Sequence, residues 1–507
     1  MTIGIIAEDS EKTFLGHPRG LFVLFFAEMW ERFSFYGMRA LLIFYLLQHW
    51  RFAEKDAYTI YGAYTALVYI TPAIGGYLAD RYLGAQKAVL FGAILLSIGH
   101  CLMAFEDDGG PNSPYLPLFW AALAFIIVGS GFLKANISVI VGQLYAQGDP
   151  RRDPAFTIFY MGINIGAALG AIVAGYLGQT YGWRYGFGAA GFGMLAGLIV
   201  FLWGRPLLMG RGGPTDPALL AAPVAGIRRE WLLYLTGLGL VALVWVLIQH
   251  QAAIGWALGS GGAVIVGYVL YTAVFRLDRI DRDRILVALL LIFFSILFWA
   301  FYEQAGSSLN VYAEAQVDRR ILGVLIPASV FQSLTATYII LLAPLFAALW
   351  LWLAKRGAEP STPAKFGLAL TALGAGFLVL VAGDAMAGAA RTPVVFIFLI
   401  YLLHAVGELC LSPVGLSAMT KLALPRMAGL IMGVWFLATA TGNFAAGLIA
   451  RATGGGSGAS TADVYTTVGW SAVGVGAAIL LLSPLIVRLM HAPGDGDARL
   501  TAERSPA

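Results

Sequence analysis

The feature that most restricts the fold is a series of about fourteen stretches, each of roughly twenty predominantly apolar residues, spread along the whole chain. Each is long enough to cross the hydrocarbon core of a bilayer as a helix. Backbone N–H and C=O groups that face lipid have no water to bond, so each stretch must satisfy them within its own helical segment. The composition agrees, since 59% of the 507 residues are apolar and 12% are charged, where a soluble domain carries about 25% charged residues. A soluble globular fold is excluded, and the expected class is an all-α polytopic membrane protein.

The spans are expected near 19–48, 56–79, 86–105, 115–144, 155–180 and 186–204, then 230–250 and 254–275, then 286–313, 321–354, 364–382, 393–420, 427–450 and 464–490. They group as six, two and six. The resulting scheme is an N-terminal tail 1–18, a first six-helix bundle 19–204, a linker 205–285 holding two additional helices, a second six-helix bundle 286–490 and a tail 491–507. The linker is marked on one side by the Pro/Gly/Ala stretch "RGGPTDPALLAAPVAGIRRE" and on the other by the charge run "RLDRIDRDR". With the N-terminus placed inside, 22 of the 32 Lys and Arg fall on the cytoplasmic side, 7 fall outside and 3 lie within spans. That bias predicts both termini in the cytoplasm. The first eighteen residues carry Glu8, Asp9, Glu11 and Lys12 and lack a signal-peptide pattern, so the first span is expected to be retained. Cys101 and Cys410 lie in apolar stretches far apart, which speaks against a disulfide framework.

The spans contain charges. "AEMWERFSFYGMRALLIFYLL", residues 27–47, holds Glu28, Glu31, Arg32 and Arg39. At 100° per residue these four share one stripe with Phe35 and Tyr36, and Glu28 and Arg32 form an i, i+4 pair. Lys134 lies in "GSGFLKANIS", Glu303 in "LFWAFYEQAGSSLN" and Glu408 in "HAVGELCLSPVGLS". Seven such groups at ~3 kcal/mol each would cost on the order of 20 kcal/mol if left unpaired toward lipid. They must therefore pair or face water. Four acids against three bases leave one acid that pairing does not neutralise, a natural seat for a mobile proton. The alternative for the stripe is a self-neutralising network that only fixes helix packing.

The neighbours are polar or aromatic at helical spacing. Trp299, Glu303, Ser307 and Asn310 share a face, as do His404, Glu408 and Ser412, and Tyr160 and Asn164. A lone His404 reads as a packing residue, and single Trp or Tyr residues read as packing or an interfacial belt. Asn164 is different, because an amide deep in a span needs partners, and the surrounding "GINIGAALGA" suits close helix approach through small residues. The loop "GGYLADRYLG", residues 75–84, reads either as a gate that exchanges ion pairs or as a static turn.

Taken together, these motifs resemble the proton-dependent oligopeptide transporter family of the major facilitator superfamily. "EMWERFSFYG", Glu28 to Gly37, is similar to the family's first-helix signature except that Phe35 replaces a tyrosine. "FYMGINIG", Phe159 to Gly166, matches the fifth-helix signature, and "GGYLADRYLG" and "ELCLSPVGLS" look like family segments. The resemblance extends along essentially the whole chain, with the two middle helices similar to those of prokaryotic members. It implies the major facilitator fold, two pseudo-symmetric six-helix bundles around a cavity with alternating access, and proton-coupled import of di- and tripeptides.

By motif position, Arg32, Lys134 and Tyr36 would take the peptide carboxylate and Glu408 and Asn164 the ammonium, with Ser412 on the Glu408 face. Tyr69, Trp299 and Trp435 would line side-chain space. Arg39 and Glu303 would form an outer gate pair opened by protonation of Glu303, and Lys134 and Glu408 would form a second pair. Glu28, Glu31 and Arg32 would form a shared proton and carboxylate network. Phe35, and Thr335 where many members carry Asn, both remove hydrogen-bonding capacity. The remaining expectations are no cofactor, no metal, no nucleic-acid partner, a functional monomer and a multi-pass location in a bacterial inner membrane.

Rival readings are a same-fold carrier of nitrate, a nucleoside or a drug-like organic acid, an intramembrane enzyme, and a receptor or channel. The enzyme reading is weak, because the six histidines are scattered and neither H-E-x-x-H nor G-x-S-x-G appears.

Overall fold

The computed structural model describes residues 13–146, 148–424, 427–456 and 460–491. Most of both expected tails lies outside the described residues. The long helices are α1 (Arg19–Phe44), α2 (Glu54–Leu78), α3 (Ala85–Met103), α4 (Leu116–Gln143), α5 (Arg152–Tyr181), α6 (Trp183–Gly204), α7 (Arg229–Gln249) and α8 (Gln251–Arg276). The series continues with α9 (Arg279–Tyr302), α10 (Ser333–Ala354), α11 (Thr362–Ala387), α12 (Val395–Leu422), α13 (Ala428–Arg451) and α14 (Thr461–Met490). Every expected span thus contains a long helix. Twelve of them are long and apolar enough to cross a membrane on composition alone. The other two, α1 and α2, carry the four charges of the first span and the tyrosines Tyr58, Tyr61, Tyr64 and Tyr69.

Three boundaries differ from the sequence reading. The expected span 286–313 is not one helix. After Tyr302 the chain tightens into a 3₁₀ turn, Glu303–Gly306, and a short helix starts anew at Ser308. The face drawn from Trp299 through Asn310 is therefore interrupted at Glu303. The expected span 321–354 begins as extended chain with a small hairpin, Arg320–Ile321 against Val324–Leu325, then a 3₁₀ turn Ala328–Gln332 before α10. The charge run "RLDRIDRDR" is mostly helix rather than linker. Asp278 caps α9 by accepting from the Asp281 N–H at 2.8 Å, so the first turns carry Arg279, Arg282 and Arg284.

The stretch after α6 is also ordered against its neighbours. Gly212 N–H donates to Gln143 Oε1 at 2.7 Å, and Arg205 Nε donates to Gln86 Oε1 at 2.9 Å, which ties this connection to the ends of α3 and α4. The stretch 75–84, expected as a loop, is instead helical up to Gly84, with α2 running to Leu78 and a π-helical turn following at Ala79–Leu83. There Arg81 is exposed and donates to the Tyr82 hydroxyl, and the Asp80 carbonyl accepts from Thr215.

The helices form two halves. α1 packs on α5 and α6 and α3 on α4, while α11 packs on α12 and α14 and α9 on α13. The halves meet along two seams, α2 with α13 and α5 with α10. Small residues set the distances. A Cβ on Gly166 of α5 would lie 2.1 Å from the Met29 carbonyl of α1, so only glycine admits this approach. At the α2–α13 seam, a Cβ on Gly447 would lie 2.7 Å from the Tyr58 carbonyl and 2.9 Å from the Gly62 Cα. The added pair straddles this seam from outside. Gly237 of α7 seats against Phe91 and Phe132 of the first half, and Gly255 of α8 against Phe444 of the second.

Candidate transport site

α1 carries one charged stripe into the interior. Arg32 Nε donates to Glu28 Oε1 at 2.7 Å and stands 3.0 Å from Glu31 Oε2, and all three side chains are buried. The i, i+4 geometry expected from the sequence is realised in the first of these contacts. Glu31 is paired by charge alone, since neither of its oxygens accepts a hydrogen bond among the described residues. Two carboxylates thus share one guanidinium, and α4 adds a further cation, half-buried Lys134. Its ammonium lies between two rings, 4.8 Å from the centre of Phe35 and 4.5 Å from that of Tyr69. Phe35 keeps the ring beneath this cation and gives up only the hydroxyl.

Two turns further along α1, Arg39 crosses to the other half. Its Nη2 ion-pairs with the Glu303 carboxylate, and its Nε donates to the Tyr61 hydroxyl at 2.8 Å. Both charged side chains are buried, Arg39 at 6% and Glu303 at 3% exposure, so neither is solvated in place of its partner. The break after Tyr302 creates the room for this contact. A Cβ on Gly306 would lie 1.9 Å from the Tyr61 hydroxyl oxygen and 3.1 Å from Arg39 Nη2. The polar contacts that join the halves gather at this same end. Asn310 and Gln332 both donate to the Ala40 carbonyl, and Gln179 accepts from Ser329 N–H at 2.9 Å and donates to Glu314.

Directly inside the Arg39–Glu303 pair lies a cavity of about 160 Å³ between the halves. The first half lines it with Tyr36, Tyr69, Tyr160 and Asn164, the second with Trp299, Tyr302, Thr335 and Glu408. Ligand pockets commonly run about 300–1,000 Å³, so this one suits a small solute in a nearly closed chamber. Its two sides differ in charge. The α1 side offers Arg39 and, behind Tyr69, Lys134. The opposite side offers Glu408, whose carboxylate accepts from the Tyr302 hydroxyl. The Trp299 indole N–H is buried without a partner among the described residues.

Of the residues singled out by sequence, Tyr36, Arg39, Tyr69, Asn164, Trp299, Glu303 and Glu408 line the cavity. Glu28, Glu31, Arg32 and Lys134 form an adjoining cluster behind Phe35 and Tyr69. Ser412 lies one turn beyond Glu408 outside the lining, its hydroxyl unpartnered among the described residues. Trp435 is not in the lining either; it packs into α12, 2.3 Å from the Cβ position of Gly415. The expected Lys134–Glu408 pair is not closed, because Glu408 is held by Tyr302 on its own half and Lys134 by the two rings on the other. Sequence reasoning missed Tyr302, Tyr61, Gln332 and Gly306, which act across the halves or beside the helix break. Tyr160 was visible only as a face-mate of Asn164.

Two helix halves with a polar, charge-divided chamber between them, shut at one end by a buried cross-half ion pair, define a secondary transporter of major facilitator architecture. The chain belongs to the POT family, whose family model it matches over residues 86–465. It is 38% identical over 501 residues to the uncharacterized transporter YclF of Bacillus subtilis (strain 168), covering 96% of this chain and 98% of that one. It is 34% identical over 513 residues to the di-/tripeptide transporter of Lactococcus lactis subsp. lactis, covering 97% and 99%. Among solved structures, it superposes with a TM-score of 0.83 on a peptide transporter POT, a glutamate-to-glutamine mutant in complex with alafosfalin. That match is 35% identical and covers 95% of this chain and 98% of that one.

Proposed function

We propose that this protein is a proton-coupled symporter that imports di- and tripeptides by alternating access. The observation that carries the reading is the buried Arg39–Glu303 pair, which closes one end of a chamber whose charges are divided between the halves. A zwitterionic peptide needs cations at its carboxylate and an acid with an amide at its ammonium. The α1 side, with Arg32, Lys134 and Tyr36, serves the first need, and Glu408 with Asn164 serves the second.

Protonating Glu303 neutralises the partner of Arg39 and releases the closed end. Breaking a buried pair by removing one charge costs about 3–5 kcal/mol, so protonation shifts the balance of states strongly. The leftover acid in the charge count is Glu408, which has a hydroxyl donor but forms no ion pair among the described residues. A peptide ammonium would supply the missing cation. Glu28, Glu31 and Arg32 complete the proton and carboxylate network. We place the closed end outside and both termini inside a bacterial cytoplasmic membrane, supported by the 22 to 7 distribution of Lys and Arg. One chain supplies both sides of the chamber, so a monomer suffices.

A nitrate or organic-acid carrier would leave Glu408 facing the substrate without a role. The test is purified protein in liposomes. Dialanine should accumulate when the interior is alkaline or negative, and an excess of assorted dipeptides should compete where nitrate does not. Glu303→Gln should abolish gradient-driven accumulation. Full accumulation by that variant removes Glu303 from proton coupling.

A further inference from the structure

At the end where the halves meet, a second and larger cavity of about 880 Å³ lies outside the transport chamber, between seam helices α2 and α13 and the added pair α7–α8. Its wall is layered. Asp56 sits in the first turn of α2, Gln251 opens α8 and Arg451 ends α13, so the polar groups stand together at helix ends. Trp120, Trp256 and Phe444 line the same cavity four to seven residues further into their helices. At 1.5 Å per residue that places an aromatic wall about 6–10 Å below the polar rim. This is the spacing between the headgroup layer and the upper acyl chains of a bilayer.

The rim carries both signs. Asp56 and Arg451 are exposed, and neither forms an ion pair among the described residues. Trp256 is 78% exposed, a large ring on a helix whose span is only 17% buried. An acid and a base at headgroup depth above an aromatic wall match a zwitterionic phospholipid, with phosphate on Arg451 and the cationic amine on Asp56. A primary ammonium donates hydrogen bonds to a carboxylate, which a quaternary amine without N–H groups does not. A purely anionic headgroup would bring a second negative charge to Asp56.

The lining also joins the halves, because Asp56 and Trp120 belong to the first and Phe444 and Arg451 to the second. Separating the halves at this end would dismantle the cavity. A ligand that binds one state better shifts the balance toward that state. We propose that this groove binds one phosphatidylethanolamine molecule and that the bound lipid clasps the two halves at their closed end. The added pair α7–α8 supplies the outer wall of that site.

The test uses the full chain, delipidated and titrated with phosphatidylethanolamine, phosphatidylcholine or phosphatidylglycerol, with bound lipid counted by native mass spectrometry. One phosphatidylethanolamine should be retained, about tenfold more tightly than phosphatidylcholine, the effect of a single charge-assisted hydrogen bond. Asp56→Asn should erase that preference, and Arg451→Gln should weaken all three lipids by about tenfold. Both side chains are exposed, so folding should tolerate either change. In nanodiscs, amides of residues 58–61 and 446–450 should exchange more slowly in phosphatidylethanolamine than in phosphatidylcholine, and Asp56→Asn should lose the difference. Equal binding of the three lipids, an unchanged preference in Asp56→Asn, or a second copy of the chain filling the groove overturns the site. Exchange independent of lipid overturns the clasp.

Discussion

Lys134 illustrates how a single residue in this fold trades stability for function. It lies half-buried between two rings with no ion-pair partner among the described residues. A desolvated cation–π contact recovers about 2 kcal/mol, less than burying an ammonium without a carboxylate costs. Lys134→Ala should therefore leave the folded protein at least as heat-stable while losing uptake and peptide binding. Unchanged transport in reconstituted liposomes would remove Lys134 from the site. Tyr302 makes the complementary case. Its hydroxyl donates to the Glu408 carboxylate, and a hydrogen bond to a charged group contributes about 1.5–3 kcal/mol. Tyr302→Phe keeps the ring stacked on Phe298 but leaves the acid without its donor. Uptake should fall by about tenfold or more while the melting temperature drops by only a few degrees; wild-type kinetics would reduce Tyr302 to a packing residue. The two residues also differ in how far sequence exposes them. Lys134 is visible as a charge among apolar neighbours, and Glu28 with Arg32 as a helical repeat. Tyr302 is one of 22 tyrosines, and its partner lies 106 residues away on another helix, so no local pattern marks it.

At the scale of elements, hydropathy locates spans because lipid imposes a length on every crossing helix, whatever its neighbours. It does not locate breaks inside a span. Glu303 lies at such a break, and only the packed structure reveals why, because Gly306 must admit the Tyr61 hydroxyl and the Arg39 guanidinium. The run "QAGSS" carries the composition of a helix stop, but its apolar flanks read as one continuous span. Seams behave similarly. The small residues of α5 announced a close approach, and the structure supplies the partner, α1. Gly62 and Gly447 gave no such announcement, because a glycine that meets its counterpart across 385 positions looks like any glycine in an apolar helix. Their contact predicts a specific failure. A side chain at Gly447 would drive into the Tyr58 carbonyl and Gly62, and overpacking costs about 1–3 kcal/mol. Because that cost falls only on the closed arrangement of the seam, Gly447→Val should lower uptake by about tenfold. Gly474→Val, on α14 where a Cβ meets nothing within 4 Å, should leave uptake unchanged. Equal effects from the two substitutions would mean that the seam does not need to close.

At the scale of the molecule, the two halves touch along the α2–α13 and α5–α10 seams, and the transport reading requires that contact to be broken in every cycle. The α5–α10 seam offers a direct way to hold it. A Cβ built on Gly175 lies 3.2 Å from the Ser329 Cβ, near the ~3.8 Å typical of a disulfide. Gly175→Cys combined with Ser329→Cys should thus oxidise into a bond that staples α5 to the turn preceding α10. Native Cys101 and Cys410 are unpaired, and Cys410 is buried, so each single variant controls for stray cross-links. If import proceeds by rocking the halves, the oxidised protein should take up no dialanine. It should also fail to exchange peptide across the membrane without a gradient, because the locked end blocks release and rebinding on that side. Dithiothreitol should restore both activities in the same liposomes. Transport persisting through a bond verified by mass spectrometry would mean that solute passes without separation of the halves at this end. The Arg39–Glu303 pair would then be a structural tie, and the proton would have to act elsewhere, first at Glu408.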